Sequence, residues 1–118
     1  MPVWEDVRRL ALALPQVEEG GHFGLPAWRV GGKQFAGKSR TGEALIVRLD
    51  PEDQSNLSAL HPGLVAPVSG GPREAKAGAA GWTSVGLAGS DEALLARLLK
   101  LAWLETAPPK LRSVEDQA

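Results

Sequence analysis

The sequence contains no cysteine and no tyrosine, and only two histidines among its 118 residues. Without cysteine the chain can hold no disulfide, no thiolate zinc site, no iron–sulfur cluster and no cysteine nucleophile. Two histidines make a poor metal site. The longest apolar runs are too short to span a bilayer, and the N-terminal segment lacks the pattern of a secretory signal. We therefore expect a cytoplasmic protein with no membrane contact, no metal and no other cofactor.

The remaining composition is that of an ordinary globular protein, with 43% hydrophobic and 23% charged residues. The length suits a single hydrophobic core. We expect one domain over residues 1–112, followed by a frayed tail over residues 113–118.

Hydrophobic periodicity predicts the first half of the fold. Apolar residues recur every three or four positions up to Pro15, which indicates an amphipathic helix. From Ala27 the period changes to two, and Gly31-Gly32 predicts a hairpin between two strands. A third strand follows at Leu45–Leu49, and the sheet is expected to begin as a meander.

The second half of the chain alternates in the same way between helical and extended patterns. Asp50 is the expected cap of a second helix, and an extended piece confined to a sheet edge by Pro67 follows it. Residues 69–81 are expected to form a loop, residues 82–88 a strand, and the segment after Asp91 the longest helix. This order predicts an α+β fold, an antiparallel sheet with helices packed on one face.

Residues 32–39 match the phosphate-loop pattern G-x-x-x-x-G-K-[ST] in full. That chemistry needs a loop between a strand and a helix, so that backbone N–H groups converge on the phosphates. Here the segment has the alternation of a strand, and residues 40–43 are too few for the crossover helix of a parallel sheet. We interpret the match as a false positive and expect a protein that is not an enzyme.

Charge is distributed unevenly along a chain whose net charge is −1. Residues 1–27 hold two basic and four acidic residues, and residues 51–118 hold six basic and eight acidic residues. Residues 28–50, by contrast, hold five basic and two acidic residues. In the expected hairpin, Val30 pairs with Lys33 and Trp28 pairs with Phe35. That pairing places Arg29, Gln34 and Lys38 on the solvent face of the sheet, which could contact phosphates without reading bases.

Two other groups of residues have structural and functional interpretations. Four tryptophans lie in or beside apolar patterns, so we expect Trp4, Trp28, Trp82 and Trp103 to pack in the core. Glu18 and Glu19 lie near His22 and could form an acid–base or ligand site, although solvated carboxylates and a histidine that hydrogen-bonds a turn explain them more simply.

Three segments carry a resemblance to a known family: PQVEE at 15–19, HFGLPAWRV at 22–30 and GKQFA at 32–36. Together with the strand at Gly81-Trp82 and a final helix that leads into a Pro-Pro-Lys sequence, they resemble the MmcQ/YjbR family of small bacterial proteins over nearly the whole chain. The residues that match the family motif are His22, Phe23, Gly24 and Pro26. The chain departs from the family pattern at three positions. Trp28 stands where Phe is usual, Gln34 where an aliphatic residue is usual, and Trp103 where Tyr is common.

The resemblance implies a CyaY-like, double-wing-like α+β fold in which helices back a curved antiparallel sheet. It also implies DNA binding, a label that the family owes largely to its fold, and it carries over no catalytic residues. We therefore expect a domain that contacts DNA phosphates with little base specificity through five basic residues: Arg29, Lys33, Lys38, Arg40 and Arg48. The alternatives are a small-molecule or metal-binding module in the groove near Glu18, Glu19 and His22, and a protein-interaction adaptor.

Overall fold

The computed structural model describes residues 3–22, 25–39, 44–67 and 82–108. Within these ranges the chain forms three helices and one antiparallel sheet of six strands, in the spatial order β1-β2-β3-β4-β6-β5. The elements in chain order are α1 Trp4–Leu12, β1 Val17–His22, β2 Leu25–Val30, β3 Lys33–Lys38, β4 Ala44–Arg48, α2 Pro51–Leu60, β5 Val65–Pro67, β6 Trp82–Gly86 and α3 Glu92–Thr106. The α+β fold expected from the sequence is confirmed.

Helix α1 begins where the sequence places it. The Asp6 carboxylate accepts the backbone N–H of Val3 at 2.9 Å and so caps the first turn. That hydrogen bond is the main reason why the pKa of Asp6 lies below its ordinary value, and the nearby Arg9 lowers it further. The helix ends at Leu12, ahead of Pro15, because a residue that precedes proline is disfavoured in helical geometry.

Strand β1 is absent from the sequence expectation, in which the sheet begins at Ala27. Its sequence, VEEGGH, consists mainly of residues with low strand propensity. Pairing with β2 over its whole length, from Val17 opposite Val30 to His22 opposite Leu25, supplies the hydrogen bonds that stabilise it. Tertiary context therefore makes this segment an edge strand.

The β2–β3 hairpin is confirmed, and its register differs from the expected one. Gly31 and Gly32 both adopt positive φ, 60° and 78°, as a two-residue turn with a twist matched to the strands requires. Val30 pairs with Lys33, but Trp28 pairs with Ala36 instead of Phe35, because a β-bulge shifts the register. A bulge adds one residue to one strand and reverses the alternation beyond it.

The second half of the chain follows its predicted order. Asp50 caps α2 by accepting the N–H of Glu52 at 3.0 Å, and Asp91 caps α3 by accepting that of Leu94 at 2.7 Å. Strand β5, which ends at Pro67, lies at the edge of the sheet, as a proline in a strand predicts. The expected loop at 69–81 and the expected tail at 113–118 lie outside the described residues. None of the helices in the described ranges is long and apolar enough to cross a membrane.

All three described helices pack on one face of the sheet, here called the inner face. The core joins the buried residues of α1, α2 and α3 to the inward residues of β2 to β6. Trp28 and Trp103 lie in this core, at 1% and 0% exposure, and Trp4 packs against it. Trp82 is half-buried and outside the core, so its expected core position is wrong. Thr83 and Val85 take the inward positions of β6, and alternation turns Trp82 to the other face.

Candidate functional site

The opposite side of the sheet, here called the outer face, carries a row of polar and aromatic residues across the strands. Glu18 on β1 pairs with Arg29 on β2, and Arg29 pairs with Gln34 on β3. Beyond the bulge, Arg48 on β4 pairs with Trp82 on β6. We call these five residues the polar row. Since neighbouring strands lie about 4.8 Å apart, the backbones of Arg29 and Arg48 are about 10 Å apart across the sheet.

A second row, parallel to the first, consists mainly of small residues. One comes from each of the six described strands, and the pairing is continuous: Gly20, Ala27, Gly37, Ile46, Ser84 and Ala66. We call this the small row. Its Ala27 is only 1% exposed although it lies outside the core, which shows that other groups cover this part of the outer face.

Side chains of the polar row explain part of this burial, because two of them lie across the small row. A Cβ on Gly37 would be 2.7 Å from Gln34 Nε2, and a Cβ on Gly20 would be 3.9 Å from Arg29 Cζ. The glycines thus leave room for a glutamine and an arginine to lie against the sheet. Arg29 is held near the surface instead of projecting freely into solvent.

Arg48 has an unusual environment on the same face. The residue is half-buried, and its Nε is fully buried without a hydrogen-bond partner among the described residues. Its neighbours Val47 and Leu49 are both fully buried, which fixes the course of the chain on either side. A buried donor without an acceptor costs free energy, and because this Nε is closed to solvent, an anion would accept from the terminal amino groups of the guanidinium.

Ion pairing distinguishes the two arginines of α1 from the two arginines of the outer face. On the inner side, Arg8 Nε lies 2.8 Å from Glu19 Oε1, and Arg9 pairs with Glu92 and with Asp6. The hydrogen bond to Glu92 is the main cause that raises the pKa of Arg9. By contrast, neither Arg29 nor Arg48 forms an ion pair with any described residue, even though Glu18 lies opposite Arg29 in the sheet.

The structure brings only part of the expected basic set onto one surface. Arg29 and Arg48 lie on the outer face as predicted, and Lys33 is exposed at the hairpin turn. The predicted position of Lys38 is wrong: it pairs with the buried Leu45 and its Nζ lies 5.1 Å from the ring centroid of Trp4, on the inner side. The bulge is the physical cause, since it reverses the alternation of β3 after Phe35. Arg40 lies outside the described residues.

The two glutamates of the alternative site do not converge. Glu18 and Glu19 are consecutive in β1 and so point to opposite faces. The Glu19 carboxylate already accepts hydrogen bonds from Arg8 Nε and from Trp28 Nε1, at 2.8 and 3.0 Å. Phe23, Gly24 and the side chain of His22 lie outside what the structure describes, whereas Pro26 is exposed on β2. In the described part of the chain, no group of three or more acidic or histidine side chains could hold a metal ion.

The phosphate-loop match is a strand in the structure. Residues 33–38 form β3, which is hydrogen-bonded to β2 on one side and to β4 on the other. Its backbone N–H groups therefore take part in a sheet instead of converging on a phosphate, as expected from the sequence.

Trp82 is the residue of the outer face that sequence reasoning assigned to the wrong environment. Its alternation with Thr83 and Val85 already indicated the correct face. The error came from treating all four tryptophans alike, although Trp82 is the one that neighbours an arginine across a strand pair.

Comparisons with known proteins agree with this architecture. A crystal structure of the Deinococcus radiodurans protein DR2400, with the family-model domain DUF419, superposes with a TM-score of 0.70, at 24% identity over 89% of this chain and 78% of that one. At this identity the likeness shows the fold. The comparison with curated proteins gives no match. The YjbR family model matches residues 12–105, which include every strand and most of α3, and the chain therefore belongs to the YjbR family.

Proposed function

We propose that this protein binds nucleic acid through the outer face of its sheet, with contacts to phosphates from Arg29 and Arg48. Lys33 pairs with the buried Val30 and so has the parity of the inner face, but it is exposed at the hairpin turn, from which its long side chain can reach the edge of this surface. The proposal assigns binding alone to this face, without a catalytic step. It requires a compartment that contains nucleic acid, as in the cytoplasmic location expected from the sequence.

The observation that carries the proposal is the contrast in ion pairing between the arginines of α1 and those of the outer face. Arg8 and Arg9 are paired with carboxylates on the helical side, whereas Arg29 and Arg48 have no acidic partner among the described residues. Unpaired guanidinium groups on one face favour an anionic ligand, and a phosphate accepts two parallel hydrogen bonds from an arginine.

The chemistry of the outer face favours contacts that do not depend on base sequence. The small row offers mainly glycine, alanine and isoleucine, which cannot read the edges of bases by hydrogen bonding. Contacts from arginine and lysine to phosphates fix the position of a nucleic acid without carrying sequence information. We therefore expect similar affinities for nucleic acids of different sequence.

The proposal is tested by the salt dependence of binding to fluorescent random-sequence DNA, measured by anisotropy. Three phosphate contacts on a duplex predict a log–log slope of about −2.7. Replacing Arg29 and Arg48 together by glutamine should weaken binding and make the slope less steep by about 1.8.

A matched control removes the same charge from the helical side. Arg8→Gln combined with Arg97→Gln also removes two positive charges, from exposed positions on α1 and α3. This variant should bind DNA with nearly the wild-type slope. No binding by the wild type at low salt would refute the proposal, and so would equal losses in the two double variants.

A further inference from the structure

Trp82 differs from the tryptophans that stabilise the fold. Trp28 and Trp103 are buried, and their ring N–H groups donate to Glu19 and to the carbonyl oxygen of Pro15. Trp82 is only half-buried on the outer face, outside the core, and its ring N–H donates to no described residue. Hydrophobic packing of the core therefore does not account for an indole at this position.

The nearest neighbour of Trp82 across the strands is Arg48. Their Cα atoms are direct partners in the β4–β6 ladder, so their Cβ atoms lie about 5 Å apart on the same face. In the described part of the chain, the buried Nε of Arg48 has no hydrogen-bond partner. An aromatic side chain and an arginine without an acidic partner among the described residues are thus direct neighbours on one face.

The backbone that holds this pair is firmly anchored. Gln54 of α2 donates through Nε2 to the Trp82 carbonyl oxygen and to Thr83 Oγ1, both at 3.0 Å. Thr83 is fully buried, as are the residues on either side of Arg48. A binding pair on anchored strands loses less conformational entropy when its ligand binds.

We propose that Trp82 and Arg48 form a nucleotide subsite for single-stranded nucleic acid, in which a base stacks on the indole and the adjoining phosphate accepts from Arg48. The inference rests on the proposed function and names its substrate class. Stacking on an aromatic side chain suits any base, because every base has a π-face. In a duplex the faces of the bases are already stacked on one another, so only a single strand offers a free face to Trp82.

The position of Arg29 indicates how a bound single strand of nucleic acid would run across the sheet. It lies in the same row as Arg48, two strands away, and its guanidinium lies close to the backbone of Gly20. A single-stranded nucleic acid with one phosphate at Arg48 and another toward Arg29 would cross the β-strands along the polar row. The acidic Glu18 lies at the far end, beyond Arg29, and limits the basic surface on that side.

The test compares a fluorescent oligothymidylate with a duplex of the same length, by anisotropy at one low salt concentration. Trp82→Ala should reduce the affinity for the single strand by about 5- to 150-fold, the range found when one stacking aromatic is removed. The affinity for the duplex should remain unchanged. Trp82→Phe keeps an aromatic face and should retain most of the single-strand affinity.

Intrinsic fluorescence provides a second readout that does not depend on the alanine variant. Binding of the oligothymidylate should quench the emission of the wild type, and Trp82→Phe should abolish the quenching. The matched control is Trp4→Phe, which removes an indole on the inner side of the sheet and should leave the quenching intact.

The outcomes separate this inference from the proposed function. Equal affinity for single strand and duplex, with no effect of Trp82→Ala and no quenching, would overturn the subsite and leave phosphate binding in place. No binding of either nucleic acid at low salt would overturn both proposals.

Discussion

The contact between Glu19 and Trp28 predicts a specific loss of stability. Trp28 is 1% exposed, and its ring N–H donates to Glu19 Oε1 at 3.0 Å. Glu19→Ala removes that acceptor and leaves the indole N–H buried without a partner. Such a group costs about 1–3 kcal/mol. We expect the free energy of unfolding to fall by this amount.

The same substitution also removes the ion pair with Arg8, and the two contributions can be separated. The pair is solvent-exposed, with 58% of the Arg8 and 35% of the Glu19 side chain accessible, so it contributes at most about 1 kcal/mol. Arg8→Ala should therefore cost clearly less than Glu19→Ala. Glu19→Gln keeps an oxygen that can accept the indole N–H and should recover most of the loss.

The assay is thermal and urea unfolding followed by circular dichroism. For a chain of 118 residues the entropy of unfolding converts 1 kcal/mol into about 4 °C, so Glu19→Ala should lower the Tm by about 4–12 °C. Glu18→Ala is the matched control, because its side chain lies on the outer face of the same strand. Equal destabilisation by the two alanine variants, or none by either, would refute the reasoning.

Other predictions concern the helix cap, the hairpin turn and a buried hydroxyl. The folded state lowers the pKa of Asp6 below 3.8. The contribution of the Asp6 carboxylate to stability is therefore present above pH 3.8 and is lost as the pH falls through the folded-state pKa. The free energies of unfolding of the wild type and of Asp6→Asn, measured with urea, should therefore converge in acid. Gly32→Ala should lower the free energy of unfolding, measured with urea, by roughly 1–2 kcal/mol, because the residue at this position has a positive φ. Gly31→Ala should cost more, because its Cβ would lie 2.8 Å from Pro108 Cγ, and equal costs would contradict this. Thr106→Val removes a buried hydroxyl that has no hydrogen-bond partner among the described residues and should leave the Tm unchanged or raise it; a clear fall would show that the hydroxyl stabilises the fold.

Local sequence signals predicted most of the fold, because many of its elements carry their own start and stop residues. Asp50 and Asp91 cap their helices through side-chain oxygens, and the Gly31-Gly32 pair supplies the two positive φ angles of the hairpin. These features depend on a few neighbouring residues and can be read from sequence. Strand β1 has no such signal, since pairing with β2 is what makes its Glu and Gly residues extended.

The faces of the site residues could be predicted only where the pairing of the strands follows a regular register. Arg29 precedes the bulge in the pairing order and lies where alternation places it, whereas Lys38 follows the bulge and lies on the opposite face. Phe35 and Ala36 are both fully buried, so the core takes two consecutive residues of β3. Whether a core has room for both depends on the helices packed above it, which the hairpin sequence does not encode.

The bulge also connects the fold to the proposed binding surface. An antiparallel sheet can leave one face in water, and here all three described helices cover the inner face. By turning Phe35 and Ala36 inward together, the bulge lets Gln34 remain outside beside Arg29 while Lys38 moves to the helical side. Among the described residues of the outer face, the positive charge comes from two arginines on separate strands, with Trp82 next to one of them. Such a surface has two fixed cationic points and one aromatic plane, which suits an extended chain of phosphates and bases better than a single small anion.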